Sequence, residues 1–355
     1  MEHKTKRNGN IELLRFVFAM GIVLLHCSDN LFTYKGGYLG VEFFFMLTGL
    51  YLVKSMNYEL IDNHDLSLSI VCSMKSLFKK IIFFYPCFVV STIIGTFVYA
   101  IANDSFFYCF SRFPFDLIFS QCLFKNAPFL SATGIVWFLS ASYISLFYIY
   151  TLLYYKKSIV VKYIFPIIII SFTILLLVTC HNFDAPNTFI TFFLSSGVLR
   201  AFISICLGVI ISEISEKIKK KDLRKYKKHF AALETLLYLS IFLYMKFFSK
   251  LLFDVVIVAL IAIALVITTS EISWFSGKFN NKYTYFLGKF SSVLFMNHFY
   301  LVSEQKKIVS ALGLTYKKLP AKIAFIALSF IITYIVMLIG NSAVRYLKCQ
   351  LKNKN

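Results

Sequence analysis

An all-α, polytopic bundle of transmembrane helices is the fold class this sequence predicts, and three observations carry it. First, 59% of the 355 residues are hydrophobic and the mean hydropathy is +0.74, well above the roughly half-apolar mixture of a soluble domain. Second, apolar runs of about twenty residues, enough to cross a ~30 Å hydrocarbon core as a helix, recur along the whole chain. Third, Lys and Arg outnumber Asp and Glu by 37 to 17, yet the basic residues gather between the apolar runs. That pattern anchors cytoplasmic loops against an anionic leaflet and is unlike a nucleic-acid footprint. The expected partner is therefore the lipid bilayer, with no nucleic acid.

Taken in order, the chain offers about ten spans, within 11–31, 38–53, 81–102, 135–155, 159–179, 197–215, 230–247, 251–269, 284–303 and 322–343. The opening MEHKTKRNGN is basic like a signal peptide, but the apolar run behind it is too long and lacks a small-residue cleavage site, so it reads as an uncleaved anchor. Lys75, Lys79, Lys80, Lys156, Lys157, the run Lys217 to Lys228, Lys278, Lys282 and the basic tail alternate onto one side, which predicts both termini cytoplasmic. Lys306, Lys307, Lys317 and Lys318 violate that alternation. The stretch 103–134 is a long external loop rich in aromatics, which reads as an interfacial anchor or as a lid over a site. The segment KIKKKDLRKYKKH is a solvated loop near lipid headgroups. With no repeat or appended soluble segment, 1–355 reads as a single integral-membrane domain, multi-pass in the plasma (inner) membrane.

Eight cysteines are scattered without a CxxC pair, so no metal is expected; Cys109 and Cys122 share the external loop, and a disulfide between them is left open.

The polar residues inside the spans are more informative. Arg15 and His26 lie eleven residues apart in the first run, about 1100° at 100° per residue, so their side chains fall within about 20° of one stripe and roughly 16 Å apart along the axis. Glu12 sits one turn before Arg15 on the same side. Ionisable groups in lipid face a bundle interior or a wet cavity and are functional candidates. The bland alternatives are a snorkelling arginine and a structural histidine. In the second span Glu42 and Gly49 share a face seven residues apart, and a carboxylate there could orient His26; alternatively it favours the positive end of its own helix.

Combined with other segments, these residues resemble the membrane acyltransferase 3 family. Ile11, Glu12, Leu14, Arg15 and His26 match the family's opening segment with its spaced Arg and His. Gly40, Val41, Glu42, Phe44, Phe45, Thr48 and Gly49 match a G-V-D-x-F-F-x-x-S-G element, Trp137, Phe138 and Leu139 match a W-F-L segment, and Leu287, Gly288, Ser291 and His298 match the ninth-span motif, with Phe295 in place of the usual Tyr. One departure is FKKIIFFYP, where Lys79 and Lys80 keep positive charge before Pro86 but Phe83 replaces the second arginine of an R-x-x-R-I-x-P element.

The resemblance implies an O-acetyltransferase moving an acyl group, usually acetyl, from cytoplasmic acetyl-CoA to a hydroxyl of a cell-surface carbohydrate or its lipid-linked precursor. His26 would be the general base with Glu42 orienting it; Arg15, Glu12, Lys79 and Lys80 would hold the donor; Trp137, Ser140, Tyr143, Ser291 and His298 would line a polar pocket, although membrane serines often bond back to their own helix. Neither an H-x-x-x-x-D motif nor a G-x-S-x-G elbow occurs, so direct transfer is expected. A secondary transporter or flippase with an intramembrane polar path is the alternative.

Overall fold

The computed structural model describes residues 7–27, 34–180, 183, 187–315 and 318–352. Among them it is a helical protein whose elements are α1 (Gly9–His26), α2 (Leu39–Leu52), α3 (Leu66–Asn103), α4 (Phe106–Leu117), α5 (Val136–Ile159), α6 (Phe165–Thr179), α7 (Ser196–Lys219), α8 (Lys227–Phe247), α9 (Leu251–Thr269), α10 (Lys282–Asn297), the short α11 (Phe299–Val302) and α12 (Gln305–Ala311), and α13 (Lys318–Lys352). Among the described residues, the one pairing of extended backbone is an isolated bridge between Phe189 and Ser195. Polar side chains start the helices where the sequence supplies them: Asn8 accepts from the amides of Asn10 and Ile11, Asp65 from Ser67 and Leu68, and Asn281 from Tyr283 and Thr284. Each satisfies amides that a helix start leaves without an intrahelical partner.

Among the described residues, seven helical stretches are long and apolar enough to cross a membrane, fewer than the ten spans expected. Two differences explain the gap. The 44-residue stretch Val136–Thr179 counts once, although it is broken where Lys156 takes non-helical angles and a π turn follows over Val160–Ile164. Helices α2 and α10, with 14 and 16 residues, rise only about 21–24 Å and fall short of a ~30 Å core. The first predicted span also closes on residues 28–31, and Lys317 lies beyond α12; both are outside the described residues.

Apolar surface points two ways, as a multi-pass membrane protein requires. On α6, Ile167, Ile170, Ile174 and Val178 form an exposed stripe at helical spacing, while Phe18, Phe43, Phe45, Leu139 and Leu199 are buried inside. The interior brings α2 against α7 backbone to backbone. A Cβ on Gly49 would lie 2.0 Å from the Ile205 carbonyl oxygen, and one on Gly208 the same distance from that of Met46, a small-residue contact that lets membrane helices approach closely. Helix α1 packs in the same sense along α10: Glu12 lies over Gly288, Arg15 reaches Ser292, and His26 lies beside His298. Cys109 and Cys122 are buried free thiols, and Cys122 Sγ donates to the Trp137 carbonyl.

Candidate active site

Two cavities open along the shared face of α1. The first, about 290 Å³, is lined by Arg15, Lys80, Tyr143, Ser142, Ser292 and a set of apolar and aromatic side chains from α2, α3 and α5. The second, about 370 Å³, is lined by His26, His298, Trp137, Arg200, Gln121 and Asn187, with residues of the 129–135 loop. The stripe read from helical geometry thus has its cation in one cavity and its imidazole in the other.

At the first cavity Arg15 is held in place rather than free to snorkel. One terminal nitrogen donates to Glu12 Oε2 at 3.3 Å and the other to Ser292 Oγ at 2.5 Å. Glu12 is buried and also meets Arg7 at 3.6 Å. It fits because residue 288 is glycine: a Cβ there would stand 1.7 Å from Glu12 Oε2. Glu12 is thereby a support for Arg15, whose Nε is buried without a hydrogen-bond partner. Of the two expected donor lysines only Lys80 lines this cavity. Lys79 lines a separate pocket with Ser55, Asn57, Lys75 and Ser76, because neighbouring residues on α3 point about 100° apart.

At the second cavity His26 closes α1. Its ring centroid is 5.4 Å from that of His298 and 5.0 Å from that of Phe299, the latter edge-on. His298 is buried. Its Nδ1 lies 3.2 Å from the Leu294 carbonyl, which can only accept, so that nitrogen carries the proton. The other nitrogen, Nε2, is then a bare acceptor, and it is buried without a hydrogen-bond partner.

The expected pairing of Glu42 with His26 is replaced by another. Glu42 Oε1 accepts from Arg200 Nε at 2.6 Å and Oε2 from Ser204 Oγ at 2.5 Å. Both charged side chains are 1% exposed. The face that Glu42 shares with Gly49 is real, but it is turned towards α7, where Gly49 meets Ile205 and Gly208. Arg200 also donates to the Phe183 and Tyr38 carbonyls, and its guanidinium lies 5.1 Å from the Trp137 ring centre. Sequence reasoning missed Arg200, although an arginine alone inside an apolar run was the same kind of signal that marked Arg15.

The loop over the second cavity is built on Asp116. Its carboxylate accepts from the backbone amides of Leu130 and Ser131 at 2.9 and 3.0 Å and of Ala132 at 3.4 Å. Those bonds hold Ser131 at φ +55°, and the loop contributes Phe129, Leu130, Ser131, Gly134 and Ile135 to the cavity wall. Burial raises the Asp116 carboxyl above the ordinary carboxylate value, and the three amides oppose that rise. Gly134 sits at φ +70°, with Phe299 where a Cβ would project. The two readings of the 103–134 segment fall on different parts of it: Phe106, Phe107, Tyr108 and Phe110 of α4 are exposed as an anchor's would be, while residues 129–135 wall the second cavity as a lid's would. On the rim, Lys307 meets Glu304 at 2.9 Å, and that hydrogen bond pushes the ammonium above its ordinary value.

Three other expected pocket residues separate by role. Tyr143 lines the first cavity. Ser140 instead accepts from the Cys122 amide at 3.0 Å and pins the loop, and Ser291 bonds back to the Gly288 carbonyl at 2.9 Å. The nearby Ser142 and Ser292 do line the first cavity.

Helical spans, an arginine and a histidine set in separate cavities along one helix, and a loop that walls the second cavity are what the fold places together. A family model for an acyltransferase domain, that of the acyltransferase 3 family, matches residues 8–341. The chain belongs to that family and is a membrane acyltransferase in general terms. No curated protein and no solved structure matches it.

Proposed function

We propose that this acyltransferase moves an acetyl group from cytoplasmic acetyl-CoA to a hydroxyl of a cell-surface carbohydrate or its lipid-linked precursor, across the plasma membrane, with both chain termini on the cytoplasmic side. The observation that carries the reading is the placement of Arg15 and His26 on one face of α1, each opening into its own cavity. The anionic nucleotide sits at the Arg15 end, where Arg15 and Lys80 supply positive charge and charge-assisted hydrogen bonds. The pantetheine arm enters between Tyr143, Phe84 and Phe138 and carries the thioester towards His26.

The second cavity suits a polyol. Gln121 donates to Asn187 at 3.0 Å while its own carbonyl oxygen is buried without a partner, leaving an acceptor for a sugar hydroxyl, and Trp137 supplies an apolar face. There His26 takes the proton of the acceptor hydroxyl, the oxygen attacks the thioester carbonyl, the C–S bond breaks, and the proton passes to the departing sulfur. The bare Nε2 of His298 takes the place foreseen for a carboxylate, accepting from the imidazolium that forms. The Glu42–Arg200 pair shapes the wall behind Trp137.

The test is purified full-length protein in nanodiscs with radiolabelled acetyl-CoA and candidate glycans, alongside mass spectrometry of surface glycans from cells with and without the gene. Acceptor-dependent label transfer that vanishes in His26→Ala is the expected result. No transfer by the wild type, or undiminished transfer by His26→Ala, overturns the assignment.

A further inference from the structure

Between their described linings the two cavities share one side chain, Phe295. It lies at the centre of an aromatic cluster, stacked on Phe44 at 5.6 Å between ring centres, edge-on to Phe138 at 5.3 Å, and stacked on His298 at 6.0 Å. Neighbouring residues divide at this level: Trp137 faces the His26 cavity and Phe138 the Arg15 cavity, and Val41 and Phe44 divide likewise. Along α10 and just past its end, Ser292, Phe295 and His298 follow at three-residue intervals, from the group that holds Arg15 to the ring beside His26. The partition between donor and acceptor is therefore one phenyl ring thick at Phe295.

Acyl transfer needs the thioester carbon and the acceptor oxygen within bonding distance, which this ring prevents where it stands. One side of the partition is lined by Phe44, Leu47, Phe84 and Phe138, while the other presents the polar groups of His26, His298, Gln121, Asn187 and Arg200, which suit water. We infer that Phe295 is a specificity-determining septum: it bars water from the thioester until an acceptor is seated, and when its ring turns aside it passes only a short acyl group. This deepens the acyl-transfer reading above and rests on it. With an acceptor in place the O–H proton goes to His26, the ester C–O bond forms, the C–S bond breaks, and CoA leaves as its thiol. With the septum open and no acceptor, water takes the same path and yields acetate and CoA.

Two measurements on full-length protein test this. In the first, Phe295→Ala and the milder Phe295→Leu are compared with wild type for CoA release with and without acceptor, using acetyl-CoA and octanoyl-CoA. The expected result for Phe295→Ala is at least a tenfold rise in acceptor-independent relative to acceptor-dependent release, and at least a tenfold rise in octanoyl relative to acetyl use, with Phe295→Leu between; Phe295→Leu alone decides if Phe295→Ala does not fold. In the second, Leu25→Cys places a thiol in the His26 cavity, and a small charged methanethiosulfonate is applied in oriented vesicles to the face carrying Lys80, the parent chain giving the background. Labelling is expected to be at least tenfold faster with alanine at 295 than with phenylalanine. Unchanged ratios, or an unchanged labelling rate, overturn the septum. If wild type releases no CoA at all, the acyl-transfer reading fails, and the labelling rate still decides whether Phe295 divides the cavities.

Discussion

The two ends of α1 solve the problem of a polar group in a membrane by opposite means. At the Arg15 end the countercharge comes from the same helix, with Glu12 one turn away and Ser292 adding a hydrogen bond from α10, and much of the cavity around them is apolar. At the His26 end the polar groups come from distant parts of the chain, with His298 following α10, Arg200 from α7, Gln121 and Asn187 from loops, and a lid tied to Asp116. The first end is a fixed grip and the second an assembled chamber. The difference teaches where sequence reasoning reaches, because local spacing finds the first and only tertiary structure completes the second.

Substitutions sort the two ends by the size and kind of their effects. The largest falls on the chamber: His26→Ala should lower acceptor-dependent turnover by about 10²–10⁴, the range of a general base, while acetyl-CoA binding measured by calorimetry stays within about threefold. A comparable loss of both would merge the two ends into one site. Next, Arg200→Met leaves Glu42 buried and unpaired, which costs about 3–5 kcal/mol and should shorten the thermal half-life of the detergent-solubilised protein. The double variant Glu42→Leu with Arg200→Met should recover most of that loss, marking the pair as architecture rather than chemistry.

At the grip, Arg15→Ala should weaken donor binding by about 1.5–3 kcal/mol, the worth of a hydrogen bond to a charged group, seen as a raised KM for acetyl-CoA with kcat little changed. Lys79→Ala, which lies in a different pocket, should stay within about twofold by the same assay. Among the substitutions that touch a cavity wall or its support, the smallest effect is expected from Asp116→Asn. It keeps the shape but weakens the carboxylate's hold on three amides, loosening the lid by about 1–2 kcal/mol and raising the acceptor KM about 5- to 30-fold with the donor KM unmoved. A donor effect there would mean that the lid covers both cavities.

The helical class and the Arg15–His26 stripe were legible because hydropathy and a 3.6-residue period are properties of the chain alone. What was not legible was direction around the other helices. Glu42 and Gly49 do share a face, but nothing in α2 says that α7 lies against it; the glycine contact with Gly208 decides that. Lys79 and Lys80 look equivalent in sequence and are parted by a turn of 100°. Ser140 and Ser291 were the right kind of residue beside the right positions, Ser142 and Ser292. The count of spans differed because α5 and α6 run on as one stretch and because α2 and α10 are short helices inside apolar stretches whose hydropathy does not register where the helix stops.

The pairing of α1 with α10 also has a consequence in time. Arg15 and Ser292 are 277 residues apart in the chain. At a synthesis rate of about 5–20 residues per second, roughly fifteen to fifty seconds pass between the emergence of one and the other. During that interval the first helix must wait with its carboxylate and guanidinium bound mainly to each other, and the imidazole at its far end has no His298 beside it. The i,i+3 contact between Glu12 and Arg15 is then more than a support for a finished site. It also keeps the two charges of the earliest helix paired until a partner made much later arrives.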